Sequence, residues 1–196
     1  MKLDMDIFQI TGTQLKPEKG RMLIAEPILP DLIFSRSVIL LVDDAKNKHA
    51  GLILNKPAGI KIGQVLSEFD QLDFDIFLGG PVDTDKLYYL HTYGDLIKDA
   101  VQVTDKLWWG GDFSSIKEML HAGVISSDKI VFFLGYSGWT EGQLSDELDE
   151  GAWLVAKDIP EDFVFSDSHS KWSRSLGFVN ERYQIWRNFP EDPELN

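Results

Sequence analysis

Gly135-Tyr-Ser-Gly-Trp-Thr-Glu-Gly-Gln-Leu-Ser-Asp-Glu-Leu-Asp-Glu-Gly-Ala-Trp153 leads from one apolar run, through a short helix, into another. The run before it, Ile130 to Leu134, is apolar at every position and reads as a strand covered on both faces. Thr140 and Gln143 have the spacing of a capping box, with the threonine hydroxyl on the Gln143 amide and the glutamine side chain reaching back. Trp139 and Leu144 stand where a hydrophobic staple would, and Glu141 places negative charge in the first turn. Gly151 can end the helix. Trp139, Thr140, Gln143, Glu147 and Trp153 are therefore read as a structural motif that fixes a backbone shape.

Outward from this stretch, β-branched and aromatic runs predict strands at residues 21–25, 37–42, 51–55, 76–78, 87–92, 130–136 and 152–156. Ile62, Val65, Leu66 and Phe69 form the stripe of an amphipathic helix. Ser115 and Glu118 have capping-box spacing, and Gly123 offers the C-terminal cap. A fourth helix carries Trp172 and Leu176 and stops at Gly177. Strands and helices do not alternate strictly, and residues 43–50 read as a loop, which predicts an antiparallel pair on either side of it. The class is α+β, a single domain with a mixed, strongly curved sheet.

The 196 residues with 43% apolar content suit one core, and the ordinary 26% charged content excludes a wholly disordered chain. There is no cysteine, so disulfides, zinc–thiolate sites and thiol nucleophiles are excluded together. The start, MKLDMDIFQI, lacks the pattern of a signal peptide, and the longest aliphatic stretch is far too short to span a bilayer. A cytoplasmic protein is expected, without membrane contact. The formal charge of −13 repels a polyphosphate backbone and argues against direct nucleic-acid binding. Charge is unevenly placed. Residues 141–167 carry nine carboxylates against Lys157 alone, whereas 168–187 carry Lys171, Arg174, Arg182 and Arg187 against Glu181. The basic segment is a candidate to dock on the acidic one or on an anionic partner.

Catalytic signatures are weak. Ser137 follows a strand and precedes a helix, but position 139 is Trp where a nucleophile elbow needs Gly. Residues 146–151 resemble a calcium loop only superficially, because Leu148 stands at a ligand position. His49, His91, His121 and His169 lack metal-ligand spacing, so no metal and no cofactor are expected. The polar points left are strand ends. Arg36 can clamp a carboxylate or phosphate, Asn55 ends a strand before Lys56-Pro57, Gly79-Gly80 allow close backbone approach, and His91 lies inside a strand. Arg36, Asn55, Gly79, Gly80 and His91 are expected to line one ligand-binding cleft.

Taken in order, Gly20-Arg-Met-Leu-Ile-Ala25, Phe34-Ser-Arg-Ser-Val38, Gly51-Leu-Ile-Leu-Asn-Lys-Pro57, Gly79-Gly-Pro-Val82, Gly135-Tyr-Ser-Gly-Trp139 and Gly151-Ala-Trp153 resemble the AlgH/YqgE family of uncharacterised bacterial proteins. The resemblance spans about residues 20–177. It implies a bifurcated sheet bent into a pseudo-barrel with flanking helices, a transcriptional-regulator label, and no established catalytic residues to carry over. It divides the chain into a domain, 1–179, and a C-terminal tail, 180–196. The expected function is a non-enzymatic regulatory or ligand-binding module for an unknown small ligand or protein partner, with a homo-oligomer compatible. The alternatives are a hydrolase using His91 as base and Arg36 as clamp, and an assembly module whose aromatic-basic tail docks on a partner.

Overall fold

A ten-residue strand, β9 (Ile130–Trp139), is the spine of the sheet. Its neighbours come from distant parts of the chain because each needs an apolar strand to cover it. The strands before it are β1 (Met22–Ala25), β2 (Val38–Asp43), β3 (His49–Ile53), β4 (Pro57–Lys61), β5 (Asp75–Leu78), β6 (Val82–His91), β7 (Val101–Gln102) and β8 (Trp108–Trp109), and β10 (Trp153–Ala156) follows. The order across the sheet is β10-β1-β2-β3-β9-β6-β8-β7, with β5 on β9 and β4 on β5. Every pairing is antiparallel except β5 with β9. The computed structural model describes residues 15–43, 48–157 and 160–190. The N-terminal start, residues 44–47 of the expected loop and the tail beyond Pro190 lie outside the described residues. The architecture is α+β: one domain whose curled sheet forms a half-barrel, with a few short helices packed on it.

The sheet divides at three glycines. Along Ile130–Leu134, β9 has β5 on one edge, whereas at Ser137–Trp139 β3 takes that edge over. The handover is at Gly79, whose N–H donates to Leu134 O (2.8 Å) and whose carbonyl accepts from Ile53 N–H (3.1 Å) and the Ser137 hydroxyl (3.0 Å). A Cβ on Gly79 would overlap the Gly135 carbonyl, and one on Gly80 would overlap the Ser137 backbone. Gly135 itself takes φ +67°, which L side chains rarely adopt. Backbones cross here too closely for any side chain.

Burial follows the period of two. Met22 and Ile24 face one core with Val38, Leu40 and Val42, while Leu23 and Ala25 face another with Ile39 and Leu41. Both faces are covered, as the continuous apolar runs predict. Tyr183 and Trp186, in a 3-10 turn at Glu181–Asn188, are 4% exposed and belong to the same core as β1 and β2.

The helices depart from the reading in instructive ways. The Ile62–Phe69 stripe is one turn of helix, α1 (Ile62–Val65), then a 3-10 turn at Ser67–Phe69, because Leu66 is extended (φ −127°, ψ 95°). Ile62 and Phe69 are buried, but Val65 is 41% exposed. The cap of α2 (Phe113–His121) is Asp112, not Ser115: its carboxylate accepts from the N–H groups of Ser114 (3.3 Å) and Ser115 (3.1 Å). A carboxylate is the stronger acceptor at the positive end of the helix. The Ser115 hydroxyl, then its N–H, hold the Asp112 carboxyl below the usual range. Gly123 does close α2, with Val124 N–H on Met119 O (2.9 Å). Likewise α3 (Gln143–Asp149) is capped at Gly142 (φ +83°) rather than Thr140. A left-handed glycine lets the chain turn tightly before the helix starts. The remaining helices are α4 (Glu161–Val164) and α5 (Lys171–Ser175). No helix among the described residues is long and apolar enough to cross a membrane.

Candidate functional site

Between β1 and β2 the chain makes a loop that serves two places at once. The Asp31 carboxylate accepts from the N–H groups of Ile33 and Phe34 (both 2.8 Å) and folds the loop back. Phe34 then points into an indole pair, and Arg36, two residues on, reaches a cleft.

Phe34 meets Trp153 edge-on (5.7 Å between ring centroids) and lies 6.4 Å from Trp139. The two tryptophans are T-shaped to each other at 6.1 Å. One oxygen of Glu147 accepts from both indole N–H groups (2.8 Å each), and the other accepts from Gln143 Nε2 (2.9 Å). The Gln143 oxygen in turn accepts from the Thr140 N–H and hydroxyl (3.1 Å each). The threonine hydroxyl thus donates to the glutamine instead of accepting the Gln143 N–H. The indole end of this knot is buried, whereas Thr140 and Gln143 lie at the surface.

Arg36 is held differently. Its backbone sits at φ +49°, a conformation that costs a non-glycine residue about 1 kcal/mol. Asn55 keeps it there: the side-chain nitrogen donates to Arg36 O (2.9 Å) and the oxygen accepts from Val38 N–H (2.8 Å). The amide thereby continues the β2–β3 ladder where backbone pairing stops. The guanidinium lies 4.5 Å over the Trp172 ring and donates to the carbonyls of Phe189 (2.5 Å) and Pro190 (2.7 Å). Trp172 is itself anchored through its indole N–H to Ala25 O (2.9 Å).

Arg36 and Asn55 share a cleft of about 590 Å³ with Lys56, His169, Trp172 and Arg187, and no acidic residue is among its described lining. Lys56 donates to Ser35 O (2.7 Å) and Arg187 to Ser173 O (2.7 Å). Other clefts are mixed in charge. In one, Lys61 bridges Asp73 (2.8 Å) and Asp75 (2.7 Å). In another, Arg21 pairs with Glu18 (2.9 Å). Charge in those clefts is largely neutralised from within.

The structure brings two of the five expected site residues together and places three elsewhere. Gly79 and Gly80 are at the strand crossing, where they leave no room for a ligand. His91 is wholly buried on β6 and does not line the cleft of Arg36. Its Nδ1 accepts from Tyr93 N–H (3.3 Å), so Nε2 carries the proton and donates to Gly110 O (3.1 Å). Burial lowers its pKa, against a smaller upward pull from the Gly110 carbonyl. Ser137 lies inside β9, also wholly buried, with its hydroxyl donated to Gly79 O. The basic excess of residues 168–187 was the signal for His169 and Arg187, and Lys56 was read only as part of a turn.

One buried cation had no signal in the sequence pattern. Lys171 is 1% exposed, donates to Ser166 O (2.5 Å), and burial pushes its pKa down to about 8. His169 lines both the basic cleft and the cleft that Lys171 lines.

Comparison with known proteins agrees with this fold. The family described as AlgH-like matches residues 22–184. A UPF0301 protein of Bacteroides fragilis is 38% identical over 197 residues, covering 100% of both chains. One from Chlorobaculum parvum is 40% identical over 178 residues, covering 90% of this chain and 95% of its own. The solution structure of the AlgH protein from Pseudomonas aeruginosa superposes with a TM-score of 0.70 at 26% identity, over 90% of this chain and 97% of that one. A crystal structure of a Corynebacterium diphtheriae protein reaches 0.74 at 20% identity, over 89% of this chain and 94% of that one, and shares the fold. The chain belongs to the AlgH-like family of UPF0301 proteins.

Proposed function

We propose that the protein is a cytoplasmic, non-enzymatic ligand-binding module whose cleft at Arg36, Asn55, Lys56, His169 and Arg187 receives an anion. One observation carries the reading. A chain of net charge −13 gathers three permanent cations and a histidine around one cleft and puts no acid in its described lining. A cleft whose lining is of one sign focuses its field on counter-ions in solution and raises their local concentration. The strained backbone of Arg36 supports the same reading, since strain is retained where it aims a side chain. Regulation by this protein then runs through a bound ligand or protein, because the overall charge opposes a nucleic-acid backbone.

Calorimetric titration with inorganic pyrophosphate and with citrate, at low ionic strength, tests it. Binding of at least one is expected, weakening as salt rises and falling about tenfold in Lys56→Gln and in Arg187→Gln, the equivalent of one charge-assisted hydrogen bond. No heat from either anion, or equal affinity in both variants, rejects the reading.

A further inference from the structure

We propose that the cleft is controlled by the chain's own C-terminal segment. The acidic run after Pro190, Glu191-Asp192-Pro193-Glu194, lies on the cleft as an internal competitor, and an incoming anion binds by displacing it. The inference rests on the anion-binding reading and adds the regulation of that site.

Three observations lead there. First, the strap formed by residues 181–190 is fastened at the cleft. Tyr183 and Trp186 pin it into the core, each 4% exposed. Arg187 then lines the cleft and donates to Ser173 O (2.7 Å). Phe189 is extended (φ −68°, ψ 133°), as a residue before proline prefers. Its carbonyl and that of Pro190 both accept from the Arg36 guanidinium, at 2.5 and 2.7 Å. Second, these bonds fix where the next residues begin. The chain advances at most about 3.5 Å per residue, so the backbones of Glu191 and Asp192 start within about 10 Å of that guanidinium. Residues 191–196 reach about 20 Å when extended, long enough to cross a cleft of about 590 Å³. Third, the charges match. Residues 191–196 carry three carboxylates and no Lys or Arg. The lining carries Arg36, Lys56, Arg187 and His169, and no acid among its described residues. Carboxylates tethered this close act at an effective concentration of the order of millimolar, so they compete with any free anion for the same side chains.

Calorimetric titration with pyrophosphate tests this on two full-length variants beside the unmodified chain. The first carries Glu191→Gln, Asp192→Asn and Glu194→Gln. Its amides keep the length, the prolines and the backbone bonds to Arg36, and remove only charge. Pyrophosphate should bind it about tenfold more tightly than it binds the unmodified chain, because the competitor is gone. The second carries Glu141→Gln, Asp149→Asn and Glu150→Gln, the same change in formal charge at exposed positions outside the cleft lining. It should gain no more than about twofold, since distant surface charge is screened. Equal affinity in the unmodified chain and the first variant overturns the inference and leaves the anion-binding reading standing. An equal gain in both variants also overturns it, because net charge then accounts for the effect. Silence from all three chains removes the anion-binding reading and this inference together. Sedimentation separates the two sources of the acidic run. If the unmodified chain is a dimer and the first variant a monomer, the carboxylates lie on a second copy, and control within one chain is rejected.

Discussion

Phe34 and Arg36 are two residues apart, yet they enter regions with opposite electrostatic economies. At the Phe34 end, one carboxylate, Glu147, holds two indole N–H groups and a glutamine amide, and its donors all come from the same small knot. At the Arg36 end, three permanent cations and His169 share a cleft with no acid in its described lining, and the described bonds of the cations are to carbonyl oxygens. The first region closes its charge within the fold. The second gathers side chains of one sign in its described lining. The difference teaches that the quoted stretch from Gly135 to Trp153, which decides the fold, is not where a ligand is drawn.

The comparison breaks first at Glu147. Glu147→Ala leaves two indole donors without their shared acceptor, and a loss of about 3 kcal/mol is expected by urea denaturation, at the upper end for hydrogen bonds to a charged group. Anion affinity at the cleft should not change. A loss below about 1 kcal/mol, or a matching loss of affinity, would show that the two regions are not distinct in kind.

Lys171, which lines the neighbouring cleft that shares His169, sharpens the contrast through pH. Its pKa falls from 10.5 in the unfolded chain to about 8 when folded, because burial disfavours the charged form. Above 10.5 both states are neutral and the residue has no effect on stability. As pH falls from 10.5 to 8 the unfolded chain gains the proton first, so stability declines, and below 8 the penalty is complete, about 3 kcal/mol. Lys171→Met should therefore stabilise the protein at pH 7 by about 2 kcal/mol, allowing for the lost bond to Ser166 O. The gain should shrink toward pH 10.5. A gain independent of pH, measured by thermal unfolding across that range, would assign it to packing instead.

The smallest effect separates backbone from side chain at Arg36. Both Arg36→Ala and Arg36→Gly remove the guanidinium and should abolish anion binding alike. Glycine accepts φ +49° without strain, so the glycine variant should be the more stable of the two by about 1 kcal/mol. Equal stability would mean that Asn55 does not hold the loop in this conformation.

Much of the sheet was legible because its strands are β-branched runs long enough to show. Ile130–Leu134 and Val38–Val42 are apolar at every position, the pattern of a short strand covered on both faces. β4 was hidden by its own Pro57 and Gly59, residues that read as a turn and are tolerated because the strand lies at an edge. β7 and β8 have two residues each, too few for any period. Both misplaced caps have one cause: spacing proposes Ser115 and Thr140, but a carboxylate at Asp112 and a left-handed glycine at 142 compete better for the turn. The cleft was legible only in pieces. Arg36 and Asn55 stand at neighbouring strand ends and could be paired, whereas His169 and Arg187 arrive from a segment more than a hundred residues away, which no local pattern connects to β2. Gly79 and Gly80 read either as a tight turn or as close backbone approach to a ligand, and the backbone that lies against them is that of β9.

The division of the sheet along β9 bears on how the molecule is made. β3, β5 and β6 all take residues 130–139 as their neighbour, and β1 takes residues 153–156. A ribosome releasing the chain from its N-terminus thus exposes these four strands before their neighbours at residues 130–156 have emerged. Until then β5 has only β4, and β6 has no more than the two-residue β8 to pair with. Nascent chains stalled before residue 130 should engage holdase chaperones, and those extended past residue 156 should let go, because only the longer ones can assemble their spine.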